Sequence, residues 1–432
     1  MLRSAPSVTV LALLGMAGFA VPGAILARES PASATSAQVT PARVASGPAI
    51  AIGGALRDDN AAVYSRLIEL AGGKGARFVV LATASGDPQA AADGQVAALQ
   101  AHGAFAEALP VAPELKGVDL AQAVRDPALI AKVRAASGVF FTGGDQARIV
   151  DTLRPGGVES PLLAAIRELQ RRGGVVAGTS AGAAIMSRTM FRDPASVITL
   201  LKGPLRPGTD YGAGLGFAQS DLFVDQHFLA RGRLGRMLPL MLSQGMQLGL
   251  GVEEDAAAVL IGDEIEVLGT GGALLVDLSE ARVDPKREAF NVSNARLTLL
   301  GDGDRFNVRT RKLQPARAKI EGQRIDPNAA DFKPYFSDAP FALDVLAPKV
   351  VMDRMVRIIA GSATEARGLA FDASAEAPPP RDLGFEFRFR RGPNALGWYD
   401  PIASADAYTL DDIRLDVVPV KVAQPLFSPW PH

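Results

Sequence analysis

The segment Gly178-Thr179-Ser180-Ala181-Gly182 sets a serine between two glycines, after the apolar run Gly174-Val175-Val176-Ala177 and before the small residues Ala183 and Ala184. A Gly-x-Ser-x-Gly turn between a strand and a helix holds its serine in a strained conformation that only small neighbours permit, with the hydroxyl exposed for attack. The following helix would aim free N–H groups at the site and favour developing negative charge. The competing reading is a helix start packed with small residues; the strand–turn–helix context favours catalysis. A hydroxyl nucleophile needs a base. The chain has three histidines, His102, His227 and His432. His102 ends an Ala- and Gln-rich helix that reads as solvated, and His432 is terminal, so His227, after the apolar run 222–224, is the candidate base. It would take the Ser180 proton and return it to the leaving amine. Arg231, Arg233 and Arg236 follow directly. They read either as a solvated helix face or as fixed cations suited to a carboxylate substrate, and spacing leaves both open. An oxyanion hole needs preorganised N–H donors. Ala181 is one candidate, and Gly143 or Gly144, at the end of the run 138–142, is the second.

The elements that must position these groups alternate along the chain. Strand-like runs fall at 49–55, 76–83, 105–111, 138–142 and 174–177. Helical spacing falls at 60–71, 88–101, 120–136, 145–153 and 161–172. This alternation predicts an α/β fold with a doubly wound, mostly parallel sheet and helices on both faces. Ligands of such sheets sit beyond the carboxyl ends of the strands, where Gly53-Gly54, Gly143-Gly144 and Gly178 fall. A helix is expected at 231–246, then antiparallel strands at 256–261, 264–268 and 273–278. The stretch 297–308 reads as a hairpin with a Gly-Asp-Gly-Asp turn. Residues 316–432 read as a β-rich C-terminal extension of a catalytic domain at 48–315. The extension has a helix at 349–359 and an alternating strand at 385–390 whose three phenylalanines pack one face.

The 432 residues are 48% hydrophobic and 21% charged, with a formal net charge of -1. That composition supplies an ample core and does not favour a nucleic-acid partner. The chain has no cysteine, which excludes disulfides, thiolate metal sites and a cysteine nucleophile. With so few histidines, no metal site is expected and no cofactor is implied. Arg3, the apolar run 8–21 and the small residues after Pro22-Gly23 follow the plan of a secretory signal peptide. Residues 1–27 are read as that signal and the Ser-, Ala- and Pro-rich 28–47 as a disordered linker. The mature chain is therefore expected to be exported, periplasmic or extracellular, and free of the membrane once cleaved.

Five stretches together resemble the cyanophycinase family of serine peptidases. They are Ile52-Gly53-Gly54-Ala55, Phe141-Thr142-Gly143-Gly144-Asp145-Gln146, the Ser180 motif, Asp225-Gln226-His227-Phe228 with its three arginines, and Gly249-Leu250-Gly251-Val252-Glu253-Glu254-Asp255. The resemblance spans roughly residues 49–280. It implies a class I glutamine-amidotransferase-like, flavodoxin-type fold, with Ser180 as nucleophile and His227 as base. Gln146, Asp225, Gln226, Arg231, Arg233 and Arg236 would line the pocket, Asp225 holding a guanidinium. The substrate it implies is cyanophycin or a β-aspartyl peptide, and the product the β-Asp-Arg dipeptide; a homodimer stays open. The resemblance places the triad acid between the nucleophile helix and the histidine. Residues 187–223 contain no glutamate, so Asp193, Asp210 and Asp221 are the acids available, and Asp193 is the choice. The alternatives are an isoaspartyl or aspartyl dipeptidase of the same chemistry and a silent binding homologue that kept the pocket.

Overall fold

The computed structural model describes residues 46–218, 221–374, 379–403, 407–423 and 426. The expected signal, most of the expected linker and His432 lie outside the described residues. Strands β1 (Ala49–Ile52), β2 (Arg77–Leu81), β3 (Phe105–Ala108), β4 (Gly138–Phe141) and β5 (Val175–Thr179) are parallel, in the order β1-β5-β4-β2-β3. Alternate residues bury on opposite faces. Ile50, Ile52, Phe78, Val80 and Phe140 pack with Val63, Tyr64 and Leu67 of the helix Ala61–Leu70. Ala49, Ala51, Val79, Leu81, Val139 and Phe141 pack with Ile149, Leu153, Leu163 and Ile166 on the other side. Two covered faces are why these strands are continuous apolar runs.

The hairpin β6 (Thr189–Phe191) with β7 (Tyr211–Ala213) follows. Then β8 (Leu222–Asp225) and β9 (Leu248–Val252) run parallel to each other in a second sheet. β10 (Ala256–Ile261) and β11 (Glu264–Gly269) return to the first sheet, with β10 antiparallel to β1. β12 (Ala273–Asp277) and β13 (Val292–Leu300) extend the second sheet from β9. β14 (Arg305–Asn307) and β15 (Lys312–Gln314) extend the first from β11. The expected hairpin at 297–308 is therefore a crossover, its halves in different sheets. Buried Asp304 holds it there. Its carboxylate accepts from the N–H of Gly301 (2.7 Å) and of Ala316 (2.8 Å) and pairs with buried Lys319 (2.9 Å).

β16 (Gln323–Ile325), β17 (Glu365–Ala370), β18 (Leu383–Tyr399) and β19 (Tyr408–Lys421) complete the second sheet, in the order β16-β18-β19-β13 with β17 also on β18. The boundary expected at residue 315 does not divide the described residues, because β19 pairs with β13 and they form one compact unit. The reason is physical: β13 would otherwise leave an open edge. Phe385, Phe387 and Phe389 are buried in one cluster with Leu297, Leu299, Met355 and Ile359. The protein is thus α/β, with a mostly parallel central sheet and a β-rich C-terminal region built onto it. Among the described residues no helix is long and apolar enough to cross a membrane.

Candidate active site

Ser180 follows β5 at φ 53° and ψ -110°. A Cβ on Gly178 would lie 2.4 Å from the Gly182 oxygen, and one on Gly182 would lie 2.5 Å from the Phe141 oxygen. The glycines of the motif thus let the turn fold on itself and against the end of β4. Ser180 N–H donates to the Ile52 oxygen (2.9 Å), which ties the turn to β1 as well. The helix that follows, Ala181–Ala184, is a single turn. It is too short to sum a large dipole, so local N–H donors replace the expected macrodipole. Ala181 opens that helix, and its N–H has no intrahelical acceptor. Gly143 borders the nucleophile: a Cβ there would stand 3.2 Å from Ser180 Cβ. A Cβ on Gly144 would instead fall 2.0 Å from the Ala84 oxygen, so of the two glycines Gly143 is the one beside the serine.

His227 follows β8 by two residues, at φ 46°. Its Nε2 lies 2.9 Å from Ser180 Oγ, and its Nδ1 lies 2.6 Å from Glu254 Oε1. A carboxylate can only accept, so Nδ1–H donates to Glu254 and Nε2 accepts the serine proton. The acid partner is therefore Glu254, and Asp193 is corrected. Asp193 is exposed, and its N–H bonds Thr209 beside the small hairpin. Asp210 is held by Arg206 (2.7 Å), and Asp221 pairs with Arg188 (2.9 Å). None of the three reaches the imidazole.

Three consecutive carboxylates after β9 do three different things. Glu253 is turned back and accepts from the N–H groups of Leu229 and Ala230, closing the turn that carries His227. Glu254 meets the imidazole. Asp255 accepts from Arg57 N–H (3.1 Å) and Asn60 Nδ2 (2.8 Å) and pins the loop after β1. That loop is the joint between the sheets. Gly53 O accepts from His227 N–H (2.7 Å), and Gly54 O accepts from Asp255 N–H (2.9 Å). A Cβ on Gly53 would fall 1.9 Å from the Glu253 oxygen, and one on Gly54 would fall 2.2 Å from the imidazole. The Gly53-Gly54 pair is what lets Ser180 and His227, from different sheets, come within hydrogen-bond distance.

The pocket residues separate. Asp225 does not wait for a substrate guanidinium, because it already holds one. Arg236 binds it through two parallel hydrogen bonds (2.6 and 2.8 Å), both groups buried, with the guanidinium 4.3 Å from the Phe191 ring centroid. This pair is part of the scaffold. Arg233 lies 3.5 Å from Asp225 and donates to the Gln226 oxygen (2.7 Å). Gln226 is buried, and its Oε1 has no partner among the described residues. Gln146 spends its amide on the carbonyls of Phe191 and Arg192 (2.9 Å each). Arg231 is exposed. Burial lowers the His227 pKa, the Glu254 hydrogen bond opposes that shift, and the charges of Arg231 and Arg233 reinforce it. The resting imidazole is thereby kept neutral, as a base requires. Burial, partly offset by Asp225, lowers Arg233 to about 10, and burial raises Glu253.

The family model "Peptidase family S51" matches residues 49–268. A cyanophycinase of Trichormus variabilis is 38% identical over 197 residues, 44% of this chain and 63% of that protein. A cyanophycinase of Geminocystis herdmanii is 32% identical over 269 residues, 60% of this chain and 92% of that protein. The chain thus spans less than two thirds of the first relative and nearly all of the second. A crystal structure of a peptidase from an acI-B1 Actinobacterium is similar at a TM-score of 0.44 and 21% identity, covering 61% of this chain and 98% of that one. The chain belongs to peptidase family S51, among the cyanophycinases.

Proposed function

We propose that the protein is a serine-type exopeptidase that hydrolyses cyanophycin, multi-L-arginyl-poly-L-aspartate, to β-Asp-Arg dipeptides. The observation that carries this reading is the line Ser180 Oγ, His227 Nε2, His227 Nδ1, Glu254 Oε1, with contacts of 2.9 and 2.6 Å at the carboxyl ends of three strands. His227 takes the hydroxyl proton as Oγ attacks the scissile carbonyl, while Glu254 steadies the imidazolium. The N–H groups of Ala181 and of Gly143, the glycine beside the serine, are assigned as the donors to the developing oxyanion. The imidazolium returns its proton to the leaving amine. Water then attacks the acyl ester with His227 again as base. Arg231 and Arg233 are the cations beside the base suited to a substrate carboxylate. The relatives named cyanophycinase support the choice of polymer. The apolar segment 8–21 supports export, which would place the enzyme where a polymer too large to import can be reached.

Incubation with insoluble cyanophycin followed by mass spectrometry of the soluble fraction tests the reading, and β-Asp-Arg is the expected product. Turnover of short aspartyl dipeptides with the polymer left intact would replace it by a dipeptidase. N-terminal sequencing of protein recovered outside the cytoplasm tests export, with a start between Arg28 and Gln38 expected.

A further inference from the structure

A cleft of about 730 Å³ opens in the C-terminal region, and none of its lining residues belongs to the triad. One wall is the stacked pair Tyr399 and Tyr408, directly opposite each other on β18 and β19, with ring centroids 4.6 Å apart. Tyr335 stands at the rim. The residue is 84% exposed, while its N–H is anchored to the Ala360 oxygen (2.7 Å). Neighbouring rings already take guanidinium groups within the chain, Arg391 over Phe332 at 5.8 Å and Arg357 over Phe336 at 4.9 Å. Asp331 and Lys333, both exposed, bring one charge of each sign to the lining.

We propose that this cleft is a second, non-catalytic holding subsite for a zwitterionic, guanidinium-bearing peptide. The tyrosine faces and Asp331 take the guanidinium, by cation–π contact and ion pairing, and Lys333 takes a carboxylate. The volume lies within the range of small-molecule sites and suits a single β-Asp-Arg unit. The proposal rests on the substrate class proposed above. A holding site away from the triad keeps an insoluble polymer beside the enzyme between cuts, since a second contact makes rebinding intramolecular.

The test uses the full chain carrying Ser180→Ala, sedimented with insoluble cyanophycin. Adding Tyr335→Ala or Asp331→Asn is expected to weaken retention about three- to tenfold, and Tyr335→Phe, which keeps the ring, is expected to retain it. With Ser180 intact, the same variants should cleave a soluble β-Asp-Arg trimer at the parent rate. Poly-aspartate without arginine should show no dependence on the cleft. Retention unchanged by the cleft variants overturns the proposal. So does an equal loss on poly-aspartate, or an equal loss of trimer cleavage. A polymer that is held through the cleft but never cut leaves the subsite standing and removes the hydrolytic reading.

Discussion

Ser180 and His227 meet at one point but are held there differently. The serine turn is shaped by Gly178 and Gly182, each within two residues of the nucleophile. The imidazole is placed by Gly53 O and oriented by Glu254, and the turn that carries it is closed by Glu253, groups 174, 27 and 26 residues away in the chain. The nucleophile's turn is shaped by its own glycines and by neighbouring strands of one sheet, whereas the placement of the base exists only when two sheets have docked. Activity can therefore be lost from the base side by changes that never touch the serine, and such losses should be graded.

The largest effect is expected on the local side. Ser180→Ala should lower kcat by about 10⁴-fold or more and leave the fold intact, because alanine suits the small-residue turn. A fluorophosphonate-type probe should label the parent and not the variant; labelling at another serine would break the comparison at its first element.

Next comes the acid. Glu254→Gln should lower kcat by roughly 10³–10⁴-fold with a much smaller change in KM, by analogy with loss of the orienting carboxylate in other triads. Asp193→Asn should stay within about twofold of the parent. Steady-state kinetics on both variants check this ranking, and the reverse ranking would return the acid to the loop after β6.

A third variant separates scaffold from site. Asp225→Asn leaves the Arg236 guanidinium buried without its partner, a change of the kind that costs about 3–5 kcal/mol of stability. Denaturant unfolding should show a lowered midpoint. If stability holds and only selection of arginine-bearing substrates falls, Asp225 is a recognition residue after all.

The smallest effect is a shift in pH dependence. His227 works as a base only when neutral, and burial lowers its pKa below the ordinary value of about 6.5. The acid limb of kcat/KM should therefore lie below pH 6.5, with activity falling as pH drops through it. Glu254 raises that pKa, so the residual activity of Glu254→Gln should show its limb at still lower pH. A limb above 6.5 in the parent would mean the imidazole is less buried or more strongly paired than described.

Composition and spacing alone determined the parallel α/β core, because strands covered on both faces must be continuous apolar runs separated by helical periodicity. They also pointed to Ser180 as the candidate nucleophile, since Gly-x-Ser-x-Gly is a steric requirement legible in the residues themselves, and they left His227 as the candidate base by count. The packed face of Phe385, Phe387 and Phe389 was legible for the same reason, a period of two. The tertiary structure alone decided which carboxylate serves the histidine. Glu253, Glu254 and Asp255 are adjacent in sequence, and only the way the chain leaves β9 sends one to a backbone turn, one to the imidazole and one to the loop after β1. It likewise decided that Asp225 holds Arg236 and that the stretch 297–308 crosses between sheets rather than turning within one. It decided too that the residues beyond 315 complete the sheet that carries the base. In each of these cases the deciding contact joins segments distant along the chain, and the register between docked sheets leaves no periodic mark in the residues that make it.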